Sequence, residues 1–325
     1  MKAIVQTEFG SADVLRFEEV DKPVVEDDEV LVRVLAAGVH AGDWLMVRGL
    51  PYIARPAFGL TKPKDTVPGT DLAGTVEAVG SNVTGFQPDD EVFGWGKGAF
   101  AEYASVSEDA LALKPANVTH EQAATVPTSA FTALQALRDK GKTEPEQKVL
   151  IIGASGGVGT FAVQIAKSFG AEVTGVCSTP KVDMVRSLGA DHVIDYTRED
   201  IAETGQRYDL ILDTGGNRSL SHLRSALTPT GTLVIVGNTG GPWLNGIGRT
   251  FRASLLSPFV SQRMPFFIST RNKEDLVVLK ELLETGKITP AMDRTYSLSD
   301  VPEAFRYFGD GHAKGKIAIT VATAD

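Results

Sequence analysis

Two hydrophobic rhythms divide this chain. Through the first ~115 residues the apolar runs are short and mostly alternate with polar positions, as half-buried strands do. Ala3–Gln6 and Glu29–Val34 read as strands, separated by Pro23 and an acidic run over Glu26–Glu29. Ala36–Tyr52 reads as a loop, a short helix at Trp44–Arg48 and a second loop. Val67–Gly80 places Gly69, Gly74 and Gly80 among apolar residues, which predicts a strand with bulges or close backbone contacts. Glu91–Gly94 and Ala99–Val106 continue the β pattern. An irregular barrel or sandwich fits this region.

The rhythm then changes. Glu121–Leu137 has helical composition, broken or kinked at Pro127. Val149–Ile152 is a buried-strand run, followed at once by Gly153-Ala154-Ser155-Gly156-Gly157-Val158-Gly159. Phe161, Ile165, Ala166 and Phe169 recur at helical spacing up to a stop at Gly170, and Val173–Cys177 is apolar again. Strands at His192–Asp195, Leu210–Asp213 and Gly231–Val236 alternate with helices at Lys181–Leu188 and Ser219–Leu227. Alternation of this kind predicts a doubly wound parallel sheet. Gly240–Arg263 reads as a mobile loop, a substrate wall or a subunit contact. Glu274–Glu284 is an amphipathic helix, and Lys316–Val321 is a strand expected to rejoin the N-terminal region. The expected class is therefore α/β with a β-rich second domain. Residues 1–122 and 288–325 form that second domain, and residues 123–287 the doubly wound one.

Composition narrows the function. The 325 residues are 42% hydrophobic and 22% charged, ordinary for a globular protein. A net charge of −9 gives nucleic acid or an anionic membrane no electrostatic footing. No apolar run reaches the ~20 residues of a membrane span. The start MKAIVQTEFG has neither a signal core nor a transit pattern, so a cytoplasmic location is expected. Cys177 is the only cysteine, which rules out intrachain disulfides and multi-cysteine zinc sites.

The glycine turn carries the clearest chemistry. Glycines between a strand and a helix let backbone N–H groups approach a pyrophosphate, and the helix N-terminus adds partial positive charge. Ala154, Ser155, Gly156, Gly157 and Val158 would line that contact. An NAD site wants a carboxylate at the end of the second strand. Here the strand ends in VTGVCSTPK, with no carboxylate before Asp183. Ser178 and Lys181 offer a hydroxyl and a positive charge, which suit the 2′-phosphate of NADPH; alternatively Lys181 faces solvent. Gly237 and Asn238 follow a strand end, where nicotinamide lies in such sheets, or simply form a turn.

Taken with VPGTDLAGTVEAVG, the helix bearing Thr132, ASGGVG, SLGADHVIDY and GHAKGKIAITV, the whole chain resembles the medium-chain dehydrogenase/reductases, nearest their zinc-free quinone oxidoreductase branch. The resemblance implies a GroES-like irregular barrel joined to a Rossmann domain. It implies cofactor contacts from Thr132 and from Tyr196, which keeps the relatives' spacing from Lys181. It also implies a homodimer. In the zinc members the catalytic metal sits on Cys, His and Cys. The matching positions here are His40, Thr70 and Thr128, of which His40 alone could ligate well.

Four residues are candidates for stabilising or protonating the reduced oxygen: His40, Asp43, Tyr52 and Thr128. His40 stands where this branch usually has asparagine; it hydrogen-bonds ribose or substrate, or is a structural loop histidine. Asp43 orients His40 or caps the short helix. Tyr52 resembles a tyrosine of the relatives' substrate cleft, or merely packs. Three readings follow: an NADPH-dependent reductase of quinones or α,β-unsaturated carbonyls, a zinc alcohol dehydrogenase, or an NADPH-binding protein without catalysis.

Overall fold

The alternating runs at the start become strands β1 (Lys2–Val5) and β2 (Arg16–Glu19), an antiparallel pair in a sheet of their own. Strand β3 (Glu29–Val39) is the longest, with all its residues buried except the half-buried Glu29 and Arg33. It ends directly on helix α1 (Ala41–Val47), followed by the short α2 (Arg55–Phe58). Then come β4 (Asp71–Val79), β5 (Glu91–Trp95), β6 (Tyr103–Ser107) and β7 (Leu111–Leu113). The register of β3 against β4 slips twice, once beside Gly74, as the glycine pattern in that stretch foretold. Helix α3 (His120–Ala124) stops ahead of Pro127, and Pro127 opens α4 (Pro127–Gln135), where its missing N–H costs nothing.

The second rhythm becomes β8 (Lys148–Ile152), α5 (Gly157–Ser168), β9 (Glu172–Cys177), α6 (Val182–Ser187) and β10 (His192–Asp195). It continues through β11 (Tyr208–Asp213), α7 (Leu220–Ser225), β12 (Leu227–Ile235) and α8 (Ile247–Leu256). The five strands are all parallel, in the order β10-β9-β8-β11-β12. That order reverses between β8 and β11, the switch point at which such sheets bind ligands. Thr214 ties the two strand ends together there, its N–H and Oγ1 donating to Ile152 O at 3.0 and 2.7 Å.

Helix α9 (Lys273–Glu284), β13 (Met292–Ser297), α10 (Val301–Gly309) and β14 (Lys316–Thr320) complete the chain. β14 pairs antiparallel with β3, Ile317 opposite Val39, so the tail does rejoin the N-terminal sheet. That mixed sheet runs β13-β14-β3-β4-β5-β7, with β6 also paired to β3. Its core gathers Ile4, Val32, Val34, Leu72, Val92 and Ile317, with Phe100 and Phe305 meeting edge to face at 5.7 Å.

This computed structural model describes residues 1–236, 243–244 and 247–321. They divide into two units: Met1–Phe131 with Arg271–Gly286 and Pro290–Asp325, and Thr132–Thr270 with Lys287–Thr289. The sequence reading divides the chain at 122/123 and 287/288 instead. Residues 123–131 pack with the first unit because α3 lies on β3 and β4; Gly38 leaves so little room that a Cβ there would stand 2.3 Å from Ala124 O. Residues 271–286 join it because α9 packs on β7, where Asn117 Nδ2 donates to Leu283 O and Lys273 pairs with Asp109. Part of Gly240–Arg263, read as loop or contact surface, is α8. The tail also holds α10, whose Val301, Ala304 and Phe305 are buried at helical spacing that the reading passed over. Gly237 and Asn238 lie outside the described residues.

Candidate active site

β3 delivers His40 to the start of α1 as its N-cap. The ring Nδ1 accepts from the N–H groups of Gly42 and Asp43 at 3.0 and 3.3 Å. A nitrogen that accepts carries no proton, so the ring proton is assigned to Nε2. Nε2 lies 2.6 Å from Thr70 Oγ1 and 3.2 Å from Asp43 Oδ2. Asp43 closes a capping box by accepting from the His40 N–H at 3.4 Å. The two roles considered for Asp43 thus coexist: it caps α1, and it faces His40.

Around this pair the structure gathers residues from distant parts of the chain. Thr70 Oγ1 donates to Asp43 Oδ1 at 3.1 Å. Asp71, the first residue of β4 and fully buried, accepts from Thr128 Oγ1 at 2.6 Å and from Thr128 N at 2.9 Å. Those bonds place a carboxylate on the first turn of α4, where the helix dipole favours it. Asp71 Oδ1 is also 3.7 Å from His40 Nε2. Lys316 opens β14, and its ammonium donates to Ser129 Oγ at 2.8 Å and to Val39 O at 3.2 Å. Arg271, just ahead of α9, donates through one terminal nitrogen to Thr70 Oγ1 at 3.3 Å and Thr128 Oγ1 at 3.0 Å.

Burial sets the electrostatics. It raises the Asp43 carboxyl above the usual range, against the pull of His40, Thr70 and Arg271, while Asp71 pushes the same way as burial. It lowers the Lys316 ammonium, which Asp71 and Asp43 partly restore. Two carboxylates and two cationic side chains balance in formal charge.

His40, Asp43 and Thr128 are therefore brought together. Tyr52 is exposed at the start of the 3-10 turn Tyr52–Ala54 ahead of α2, its ring under the Arg55 guanidinium at 4.5 Å. In the sequence Thr70 is visible only as a metal-position match and Asp71 only as its neighbour in the motif, while Arg271, Ser129 and Lys316 carry no sign of a place in the site. A lysine in an alternating apolar strand reads as solvent-facing; here both faces of β14 are covered.

The second unit holds the phosphate chemistry. Gly156 is the N-cap of the twelve-residue helix α5 and leaves its first N–H groups without a side-chain cap. Gly159 packs so closely on the turn that a Cβ would meet Gly153 O at 2.1 Å, and Gly153 itself has φ +79°. Ala154 and Ser155 are buried in the turn, the Ala154 N–H donating to Val176 O at 3.1 Å. This cradle of backbone fits a pyrophosphate.

Cys177 and Asp195 are register partners, so Ser178 and Tyr196 leave adjacent strand ends; the Tyr196 N–H donates to Cys177 O at 3.1 Å. Lys181 closes the turn after β9, its N–H on Ser178 O at 2.9 Å. Tyr196 is exposed, with the Arg218 guanidinium 6.0 Å from its ring centroid. The nearby Asp195 is occupied by the hydroxyls of Thr179 and Thr197, which hold it below the usual carboxylate range. Burial pushes the Cys177 thiol up to about 11, which removes it as a nucleophile. Thr132 is buried, its Oγ1 donating to Ser269 Oγ at 3.1 Å.

Family models place these two halves. Residues 26–116 match the alcohol dehydrogenase GroES-like domain, and residues 188–319 match a model described as zinc-binding dehydrogenase. An NAD(P)H oxidoreductase of Mus musculus mitochondria, RTN4IP1, is 35% identical over 99% of this chain and 89% of its own. The chain belongs to the medium-chain dehydrogenase/reductase superfamily. Within it, the chain falls in the zinc-free quinone oxidoreductase-like branch. An NADPH-dependent alkenal/one oxidoreductase of Arabidopsis thaliana chloroplasts is 33% identical over 98% of this chain and 79% of its own. The structure of Escherichia coli quinone oxidoreductase complexed with NADPH superposes with a TM-score of 0.83 at 25% identity, covering 99% of this chain and all of that one.

The superfamily's catalytic zinc can be tested against the donors present. Thr70 and Thr128 offer neutral hydroxyls whose protons are given to Asp43 and Asp71, and an arginine already donates to both oxygens. That donor set does not fit zinc. The match described as zinc-binding spans 188–319 and includes none of the three positions. No group of three or more histidine, cysteine or acidic residues suited to a metal occurs among the described residues. None of the described helices is long and apolar enough to cross a membrane.

Proposed function

We propose that this chain is an NADPH-dependent oxidoreductase that reduces quinones or α,β-unsaturated carbonyls without zinc. The carrying observation is the part-buried cluster at the family's metal positions, where His40, Thr70 and Thr128 are joined to Asp43 and Asp71 as a hydrogen-bonding site. With no metal to polarise a simple carbonyl, the acceptor must itself be electron-poor, which quinones and enones are.

NADPH, when bound, supplies the hydride. The chain would hold it through the α5 N-terminus and the Gly153–Gly159 turn, with Ser178, Lys181 and Tyr196 at the 2′-phosphate and Thr132 as a further contact. His40 keeps a proton on Nε2, and its orientation is fixed by the cap at Nδ1. Asp43 and Thr128 set the polarity around it, and Tyr52 lines the substrate's approach. The reading includes a homodimer, supported by the exposed Phe251, Leu255 and Phe259 in and after α8, and a cytoplasmic location, supported by the lack of paired cysteines. Nucleic acid and membrane have no place in it, given the net charge of −9.

An acceptor panel tests the activity. NADPH oxidation is expected with a simple quinone and with an enone, and little NADP⁺ reduction with ethanol. Ethanol as the best substrate would overturn the proposal.

A further inference from the structure

The strongest unassigned feature is the position of Arg271. Its guanidinium bridges the hydroxyls of Thr70 and Thr128, the residues at two of the family's three metal positions. Both hydroxyl protons are committed elsewhere, to Asp43 Oδ1 and Asp71 Oδ1. Of the lone pairs left, one on Thr70 Oγ1 takes the His40 Nε2–H, and one on each threonine oxygen accepts from the arginine. The two carboxylates thus act at one remove, turning two neutral hydroxyls into a seat for a cation.

Two further observations show that the seat leaves the cation usable. Arg271 forms no ion pair among the described residues, so no carboxylate neutralises it at contact range. Its side chain is exposed, and both bonds to the threonines use a single terminal nitrogen. The rest of the guanidinium fork is left to bind a further oxygen. Backbone placement is firm on the C-terminal side, where Asn272 caps α9 by accepting from Asp275 N at 2.8 Å.

We infer that Arg271 is a catalytic residue that takes the metal's electrostatic place, its guanidinium binding the acceptor's carbonyl oxygen as negative charge builds on it. This rests on the reductase reading above. In that reaction NADPH delivers a hydride to the β-carbon of an enone. The C=C π pair moves to form the enolate, and its charge lands on the oxygen. A guanidinium stabilises that oxygen through fixed N–H donors and keeps its protons. The proton that completes the saturated ketone comes ultimately from water, either directly or relayed by His40 Nε2, which takes a proton from water as it gives one up. For a quinone the same hydride and proton give the hydroquinone. Positive charge and proton supply are thereby divided between two residues.

The test is kinetic. Arg271→Ala should lower turnover with a quinone and an enone by about 10²–10³, the scale for removing one oxyanion donor, while NADPH affinity by fluorescence titration stays unchanged. Added guanidinium ion at low concentration should restore part of the lost turnover. Arg271→Lys should retain part of it, since it keeps the charge without the fork. Arg271→Gln guards against misfolding: it can still donate to both threonines, so a folded but slow enzyme is expected. Wild-type inactivity toward both acceptors would overturn the reductase reading and this inference with it. An active wild type with an equally active Arg271→Gln would overturn the inference alone, as would loss of NADPH affinity in step with turnover and no guanidinium rescue.

Discussion

The two functional regions are built in opposite ways. The phosphate cradle is one contiguous stretch, Gly153 to Gly159, and its donors are backbone N–H groups at the start of α5. The polar cluster is assembled from the end of β3, from α1, β4, α4 and β14, and from Arg271 two residues ahead of α9, and its working parts are side chains. The first depends on what is missing, since a Cβ on Gly159 would collide with the turn. The second depends on every member being present, because each buried polar group is satisfied by another. Substitutions should therefore hurt the cluster through stability and the cofactor end through affinity.

The largest effect is expected at Asp71. Asp71→Ala strands the Thr128 N–H and hydroxyl and removes the nearest carboxylate from the Thr128–Arg271 contact. It should cost about 3–5 kcal/mol of folding stability, the scale for removing one partner of a buried charge arrangement. Urea unfolding measures this, and a loss below ~1 kcal/mol, the range of an exposed pair, would mean that the cluster is not interdependent.

A smaller and differently directed effect belongs to the cofactor end. Lys181→Ala should weaken NADPH binding by about 1.5–3 kcal/mol, or roughly ten- to hundredfold, and leave NADH nearly untouched. Equal losses for both cofactors would show that Lys181 acts through the fold of its turn.

The smallest effect is a pH slope. Burial holds the Lys316 ammonium below the ordinary lysine value of 10.5. Between that lowered value and 10.5 the unfolded chain holds more protons than the folded one, so raising the pH through this window stabilises the fold. Urea midpoints of the wild type should climb there relative to Lys316→Met. Parallel midpoints would place the folded-state value at the ordinary one.

The same contrast explains what the sequence made legible. Strand, glycine turn and helix at Lys148–Ser168 follow from local period and backbone freedom, so they could be read directly. So could β14's return, from the alternation in KIAITV. The cluster was legible only where a family motif marked a position, as at His40, Thr70 and Thr128. Arg271 and Lys316 carry no local signal, since a lone arginine before a helix and a lone lysine at a strand start usually face water. Their importance comes from tertiary proximity to Asp43 and Asp71. The unit boundary falls elsewhere than the expected domain boundary for a related reason: α9 has an ordinary amphipathic pattern, and nothing local tells which sheet it packs on.

The central claim is that this enzyme reduces electron-poor acceptors with a hydrogen-bonded cluster in place of a metal. The most direct measurement is NADPH-dependent turnover of a quinone and an enone after exhaustive dialysis against a chelator, with metal content determined on the same sample. Full turnover with zinc far below one equivalent is the predicted result. One tightly held equivalent of zinc, with activity lost when it is stripped and regained when it is returned, would contradict the account.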